Sequence, residues 1–204
     1  SVLNAMIGIL VRDGKMRIDQ KVSASAWKTP VTVDQLLRMD GGLPVDEGRG
    51  PGLAQRMWFL ESDHAAFAQS TPLDAEPETK WAYSNLSYAV LSRLVRDATG
   101  GSPEGVSSYM QRELFGPLGM RNATMEFDGT GSPMGSNAMF ASARDWARFG
   151  LLYLNNGMAG TKRILPEGWV AYSTRRTLDS GYGAGFWLNV TDSPIPGWGT
   201  PWGI

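Results

Sequence analysis

Tyr83-Ser84-Asn85 sets a phenol, a hydroxyl and a carboxamide side by side where a polar loop meets the start of the most regular helical pattern in the chain. At such a junction side chains project into clefts beside backbone amides that no helical carbonyl has claimed. The same residues suit a plain structural role, with Tyr83 packing and Asn85 capping the helix. Ser25-Ala26-Trp27-Lys28 offers a hydroxyl and an amine three residues apart, the spacing that puts both on one helix face. It lies in a connecting stretch, with Pro30 two residues on and no apolar helical run, and reads as a chance match. His64, the single histidine, stands beside Asp63 in a short helical segment far in sequence from any activated nucleophile, and reads as a solvated side chain. Gly181-Tyr182-Gly183-Ala184-Gly185 leads into a strand instead of joining a strand to a helix, so it is a poor phosphate cradle. Asn122-Ala123-Thr124 is a glycosylation sequon, of consequence only in a eukaryotic secretory setting.

Composition narrows the chemistry. With no cysteine and one histidine among 204 residues, disulfides, thiol nucleophiles and most transition-metal sites are excluded. Lys and Arg total 19 against 20 Asp and Glu, interspersed, for a net charge of -1, so no basic field invites nucleic acid. No stretch approaches the ~20 apolar residues of a membrane span. The chain opens Ser-Val-Leu-Asn inside an apolar helical pattern and closes on Pro201-Trp202-Gly203-Ile204 without a polar tail. Residues 1–204 are therefore expected to form one domain that continues past both ends.

The elements that must position these groups are mostly helical. Leu3, Met6, Ile7 and Leu10 predict a buried helix over Val2 to Arg12, with Gly14 at its end. Thr32-Val33-Asp34-Gln35 supplies a capping box for a short helix through Arg38. Short helices are expected at Leu53 to Leu60 and Asp63 to Gln69, and the clearest one at Leu86 to Ala98, with Asn85 as its N-cap. Val106 to Phe115 repeats the pattern and should break at Gly116-Pro117. A glycine-rich loop from Asp128 to Ser136 precedes a helix opened by Ser142 and stopped by Asn155-Asn156-Gly157, and another short helix starts near Pro166. Alternation from Gly185 to Val190 predicts a strand. Trp58, Trp81, Trp187, Trp198 and Trp202 are candidates to line an apolar pocket, with Trp81 nearest Tyr83.

Several segments, in order, resemble one family. Thr32-Val33-Asp34-Gln35-Leu36-Leu37, followed by Gly41-Gly42-Leu43, resembles that family's Ile-Thr-Val-Arg-x-Leu-Leu and Ser-Gly-Leu. Leu114-Phe115-Gly116-Pro117-Leu118-Gly119-Met120 with Thr124 resembles its Phe-x-Pro-Leu-Gly-Met-x-x-Thr. Ala141 to Gly150, then Ile164-Leu165-Pro166 and Trp169, resembles the esterase and 6-aminohexanoate-dimer hydrolase branch. The family is that of class C β-lactamases and penicillin-binding proteins.

The resemblance implies an α+β, β-lactamase/transpeptidase-like fold, with an antiparallel sheet flanked by helices and a mostly helical region that makes up most of this chain. It implies a serine hydrolase acting on a small ester or amide through an acyl-enzyme, with no metal or organic cofactor. Tyr83 corresponds to the tyrosine that acts with a lysine as general base, and Asn85 to the asparagine that binds the substrate's acyl portion. A free tyrosine titrates near 10, so about one in a thousand is phenolate at pH 7, and supplying that phenolate costs about 4 kcal/mol unless a cation lowers the pKa. The family's Ser-x-x-Lys supplies that cation. Ser1 to Gly8 resembles the stretch that directly follows it, so the nucleophile and lysine are expected before Ser1, and a Lys-Thr-Gly-like strand after Trp202. An esterase or amide hydrolase fits better than a β-lactamase or D-alanyl-D-alanine carboxypeptidase. A catalytically inactive ligand-binding homologue is the alternative of another class. Neither the substrate nor the oligomeric state follows.

Overall fold

A computed structural model describes residues 1–46 and 52–189. Helix α1, Val2–Arg12, is buried from Val2 to Leu10, as an apolar run without charges before Arg12 requires. It lies against α5, Asn85–Ala98, whose residues Asn85 to Ser92 and Val95 are buried. Around this pair pack α2, Val33–Arg38, and α4, His64–Ser70, while α3, Leu53–Leu60, lies beside α4. The Thr32 capping box forms in full: Gln35 N–H donates to Thr32 Oγ1 at 3.2 Å and Thr32 N–H to Gln35 Oε1 at 2.8 Å.

Helix α6, Pro103–Met110, does not break at Gly116-Pro117. It runs through a π-helical turn, Gln111–Phe115, into a last turn, α7, Gly116–Leu118. The wider turn lets the Gly116 amide reach back to Gln111, and Pro117 falls in a first turn, where its missing N–H costs little. The run stops at Gly119 (φ 67°), with Met120 N–H returned to the Phe115 carbonyl at 2.9 Å. Helices α8, Ala143–Leu154, and α9, Trp169–Thr174, follow.

Strands among the described residues form three antiparallel ribbons: β1, Lys21–Val22, with β2, Val31–Thr32; β3, Ala123–Met125, with β4, Met139–Ala141; and β5, Met158–Ala159, with β6, Lys162–Arg163. The strand expected from Gly185 is absent over residues 185–189, and Val190 lies outside the described residues. Tyr182 and Trp187 instead make an isolated antiparallel bridge across a tight reversal, with Gly183 N–H on the Phe186 carbonyl at 2.9 Å. The alternation of Phe186, Leu188 and Trp187 thus serves a hairpin-like wall.

Two buried polar hubs lock the distant parts. Asn4 on α1 donates through Nδ2 to the Ala184 carbonyl at 2.7 Å and to Ser173 Oγ at 3.1 Å. Its Oδ1 accepts from Tyr153 Oη at 2.6 Å and Trp169 Nε1 at 2.9 Å. Arg38 at the end of α2 is 4% exposed and donates to the Tyr172 and Arg175 carbonyls, both at 3.0 Å, and to Asp34 at 2.8 Å. These hubs join α1 and α2 to α8, α9 and the 182–187 reversal. No helix among the described residues is long and apolar enough to cross a membrane.

Candidate active site

The end of α2 positions the segment that carries Tyr83. Met39, the C-cap, adopts the left-handed conformation (φ 61°). Its carbonyl accepts Ala82 N–H at 3.0 Å, and the Asp40 carbonyl accepts Glu78 N–H at 2.8 Å. A non-glycine residue held there carries backbone strain of about 1 kcal/mol or more, a feature that concentrates at functional sites. The result is that residues 78–82 are pinned to α2 and deliver Tyr83 to the start of α5.

Ser84, not Asn85, is the N-cap of α5, and Asn85 is its first helical residue. The Ser84 hydroxyl does not cap: its Oγ is buried and has no hydrogen-bond partner among the described residues. Asp46 takes the role from the preceding loop, accepting Leu86 N–H at 3.0 Å through Oδ2. Its Oδ1 accepts Asn85 Nδ2–H at 3.1 Å. Asp46 and Asn85 are 2% and 3% exposed, so this is an internal charge-assisted pairing.

Tyr83 and Asn85 line one cavity of about 250 Å³ with Ser1, Met39, Tyr88, Ser136 and Trp187. Trp187 stacks on Tyr83 with ring centroids 5.4 Å apart and planes 20° from parallel, and it is 48% exposed. Tyr182 meets Tyr83 edge-on at 6.1 Å, and Trp81 packs against Trp187 at 5.6 Å. Tyr88 donates to the Leu37 carbonyl at 3.2 Å. Burial, reinforced at Tyr88 by the neighbouring phenols, pushes both Tyr88 and Tyr182 well above the ordinary tyrosine value. Both stay neutral near pH 7 and cannot serve as bases there.

The loop Asp128 to Ser136 is tied down by Asp128, whose Oδ1 accepts Thr130 N–H at 2.9 Å and Ser132 N–H at 3.0 Å. Its tip brings Ser136 to the cavity, and Trp58 stands behind it, donating from Nε1 to Ser136 Oγ at 3.2 Å. Trp81 and Trp187 therefore belong to the cavity wall and its backing, and Trp58 supports the loop. Trp198 and Trp202 lie outside the described residues.

Other expectations fall elsewhere. Ser25 and Lys28 sit exposed in a turn outside the cavity, with Trp27 between them buried and donating to the Thr71 carbonyl at 3.0 Å. His64 is not solvated: it is 7% exposed at the start of α4, and burial lowers its pKa despite the opposing carboxylates Asp128 and Asp63. The glycine-rich 181–185 stretch is no mere lead-in, because Tyr182 and Gly185 line the cavity. Gly185 (φ 83°) admits no side chain, since a Cβ there would lie 2.7 Å from Tyr88 Oη. Met39 and Tyr182, which line the cavity, and Asp46, which holds Asn85 from behind it, are residues that the sequence pattern missed. A larger hollow of about 410 Å³, lined by Arg121, Arg144 and Arg148, contains none of these residues. Among the described residues no group of three or more His, Asp or Glu is arranged to hold a metal ion.

A helical core edged by small antiparallel ribbons, with Tyr83-Ser84-Asn85 leading into a central helix at a cleft, has the β-lactamase/transpeptidase-like fold. The chain belongs to the β-lactamase family, whose model matches residues 1–203. It is 32% identical over 92 residues to the 6-aminohexanoate-dimer hydrolase of Paenarthrobacter ureafaciens, a match that covers 45% of this chain and 23% of that protein. Its fold is similar to an octameric penicillin-binding protein homologue from Pyrococcus abyssi (TM-score 0.69, 19% identity, 90% of this chain and 50% of that one). It is also similar to a D-stereospecific amidohydrolase from Streptomyces (TM-score 0.62, 19% identity, 90% and 67%). The chain thus spans about half of the penicillin-binding homologue, and its match to the curated relative spans less.

Proposed function

We propose that the full-length protein is an ester or amide hydrolase working through an acyl-enzyme, with Tyr83 as general base and Asn85 as substrate clamp. The observation that carries this reading is that Tyr83 and Asn85 share one cavity with Ser1. The family resemblance puts the lysine of Ser-x-x-Lys directly before Ser1, which would bring it to that wall. In the proposed reaction the serine Oγ bonds to the substrate carbonyl carbon and its proton passes to the Tyr83 phenolate, held as such by the lysine ammonium. The proton then goes to the departing alcohol or amine, and water releases the acyl group by the reverse relay. Tyr88 and Tyr182, kept neutral by burial, leave Tyr83 as the phenol of this cavity suited to carry the proton. The likeness to the dimer hydrolase and the Ala143-Arg144-Asp145-Trp146 segment favour an esterase or amide hydrolase over a β-lactamase or carboxypeptidase.

The test is hydrolysis of short-chain p-nitrophenyl esters by the full-length protein. Tyr83→Phe is expected to lower kcat at least ~100-fold, the lower range for loss of a general base. Near-normal turnover in that variant removes Tyr83 from the role. Absence of turnover in the parent protein, with retained acylation-independent ligand binding, establishes the inactive homologue instead.

A further inference from the structure

We infer that Asp46 is a positioning residue for Asn85, an inference that rests on the reading of Asn85 as substrate clamp. A carboxylate only accepts hydrogen bonds, so the Asn85 atom facing Asp46 Oδ1 at 3.1 Å is the amide nitrogen, and the carbonyl Oδ1 is turned away from it. Without such a partner an asparagine carboxamide presents its two ends interchangeably, because they have nearly the same shape. Asp46 selects the orientation in which the nitrogen faces it. Its other oxygen holds Leu86 N–H at 3.0 Å, which fixes the carboxylate relative to the first turn of α5 and so to Asn85 itself.

The unused Ser84 hydroxyl supports this assignment. A serine at the N-cap position ordinarily accepts from the amide two or three residues on and satisfies the helix start by itself. Here that hydroxyl is buried without a partner and the Leu86 amide has been given to Asp46, 40 residues away in the chain. A cap that served helix stability alone needed no distant, buried carboxylate. One that also grips the Asn85 amide does.

The Asp46→Asn variant isolates the inference, because its side chain has one acceptor for two donors. It can retain Leu86 N–H or receive Asn85 Nδ2–H, and in either pose its own NH2 faces one of them. In the full-length protein this variant is expected to lower kcat at least ~10-fold with KM for a p-nitrophenyl ester changed less than threefold, the pattern of an interaction lost in the transition state. The decisive measurement is a double-mutant cycle on kcat with Asn85→Ala. If Asp46 acts through Asn85, then Asp46→Asn changes kcat less than twofold in the Asn85→Ala background. A purely structural cap lowers the melting temperature equally in both backgrounds and leaves the two effects on kcat multiplicative, which overturns the inference. So does an Asp46→Asn variant with unchanged kcat while Asn85→Ala is impaired. If Asn85→Ala itself turns over normally, the clamp reading fails, and the inference with it.

Discussion

At Asp40 burial outruns hydrogen bonding: the residue is 5% exposed, its Oδ1 has no partner among the described residues, and desolvation, aided by Asp34 and Glu78, lifts its pKa to about 6 against the pull of Arg38. A raised carboxyl pKa means that the folded state holds the proton more tightly than the unfolded one. The cost of ionising Asp40 is absent below the unfolded value near 4, grows as pH rises, and is complete above about 6. Asp40→Asn is therefore expected to stabilise the protein at pH 8 by on the order of 2 kcal/mol and to leave stability unchanged at pH 3.5. Urea denaturation of both forms at the two pH values checks this, and an equal shift at both means the gain is not electrostatic. Asp46 shows the opposite arrangement, a buried carboxylate with both oxygens engaged.

Among the elements, the 182–187 reversal depends on a single side chain of α1. Removing the Asn4 carboxamide leaves Tyr153 Oη, Trp169 Nε1 and the Ala184 carbonyl short of partners in the interior. Asn4→Ala is expected to cost about 3 kcal/mol or more, since several buried polar groups are orphaned together. Chemical denaturation measures that loss, and a cost under 1 kcal/mol means water replaces the carboxamide. Sequence patterns revealed what is local. The capping box at Thr32 and the apolar stripe of α5 are written within one or two turns, and both form. Tyr83 and Asn85 were visible through the family-like segments on either side of them, since a helix start alone suits a plain structural role equally well. Asp46 was not, because nothing in Pro44-Val45-Asp46 announces a partner 39 residues on. The Gly185 strand failed for the same reason in reverse: its alternating apolar residues pack on Tyr83, Trp81 and Tyr153 through a bridge and aromatic contacts, with no neighbouring strand among the described residues. His64 was misplaced because burial of a short helix depends on what covers it.

Across the molecule, paired carboxylates are expected to set the acid limit of stability. Burial pushes Asp13 and Asp63 upward, but hydrogen bonds from Arg12 and Tyr109 to the first, and from Ala66 N–H and Arg93 to the second, bring both below the usual carboxylate value. Glu113 is lowered by Arg112 and Arg12. Groups with depressed pKa values stabilise the fold above their unfolded values near 4, and that contribution disappears as pH falls through the folded ones. Stability is therefore expected to drop steeply below about pH 4, and Arg12→Met to shallow that drop by removing one of the partners of Asp13 and of Glu113, which a pH series of thermal melts checks. An unchanged slope in the variant assigns the acid limb to other groups. The bond from Asn4 to Ala184 spans 180 residues and joins the two sides of the cavity. During synthesis, then, the cavity cannot close until the chain has emerged beyond residue 184. Contacts of such long separation form slowly, so a ribosome-bound chain halted before that point would display α1 and α5 with the wall of the cavity formed by residues 182–187 still missing.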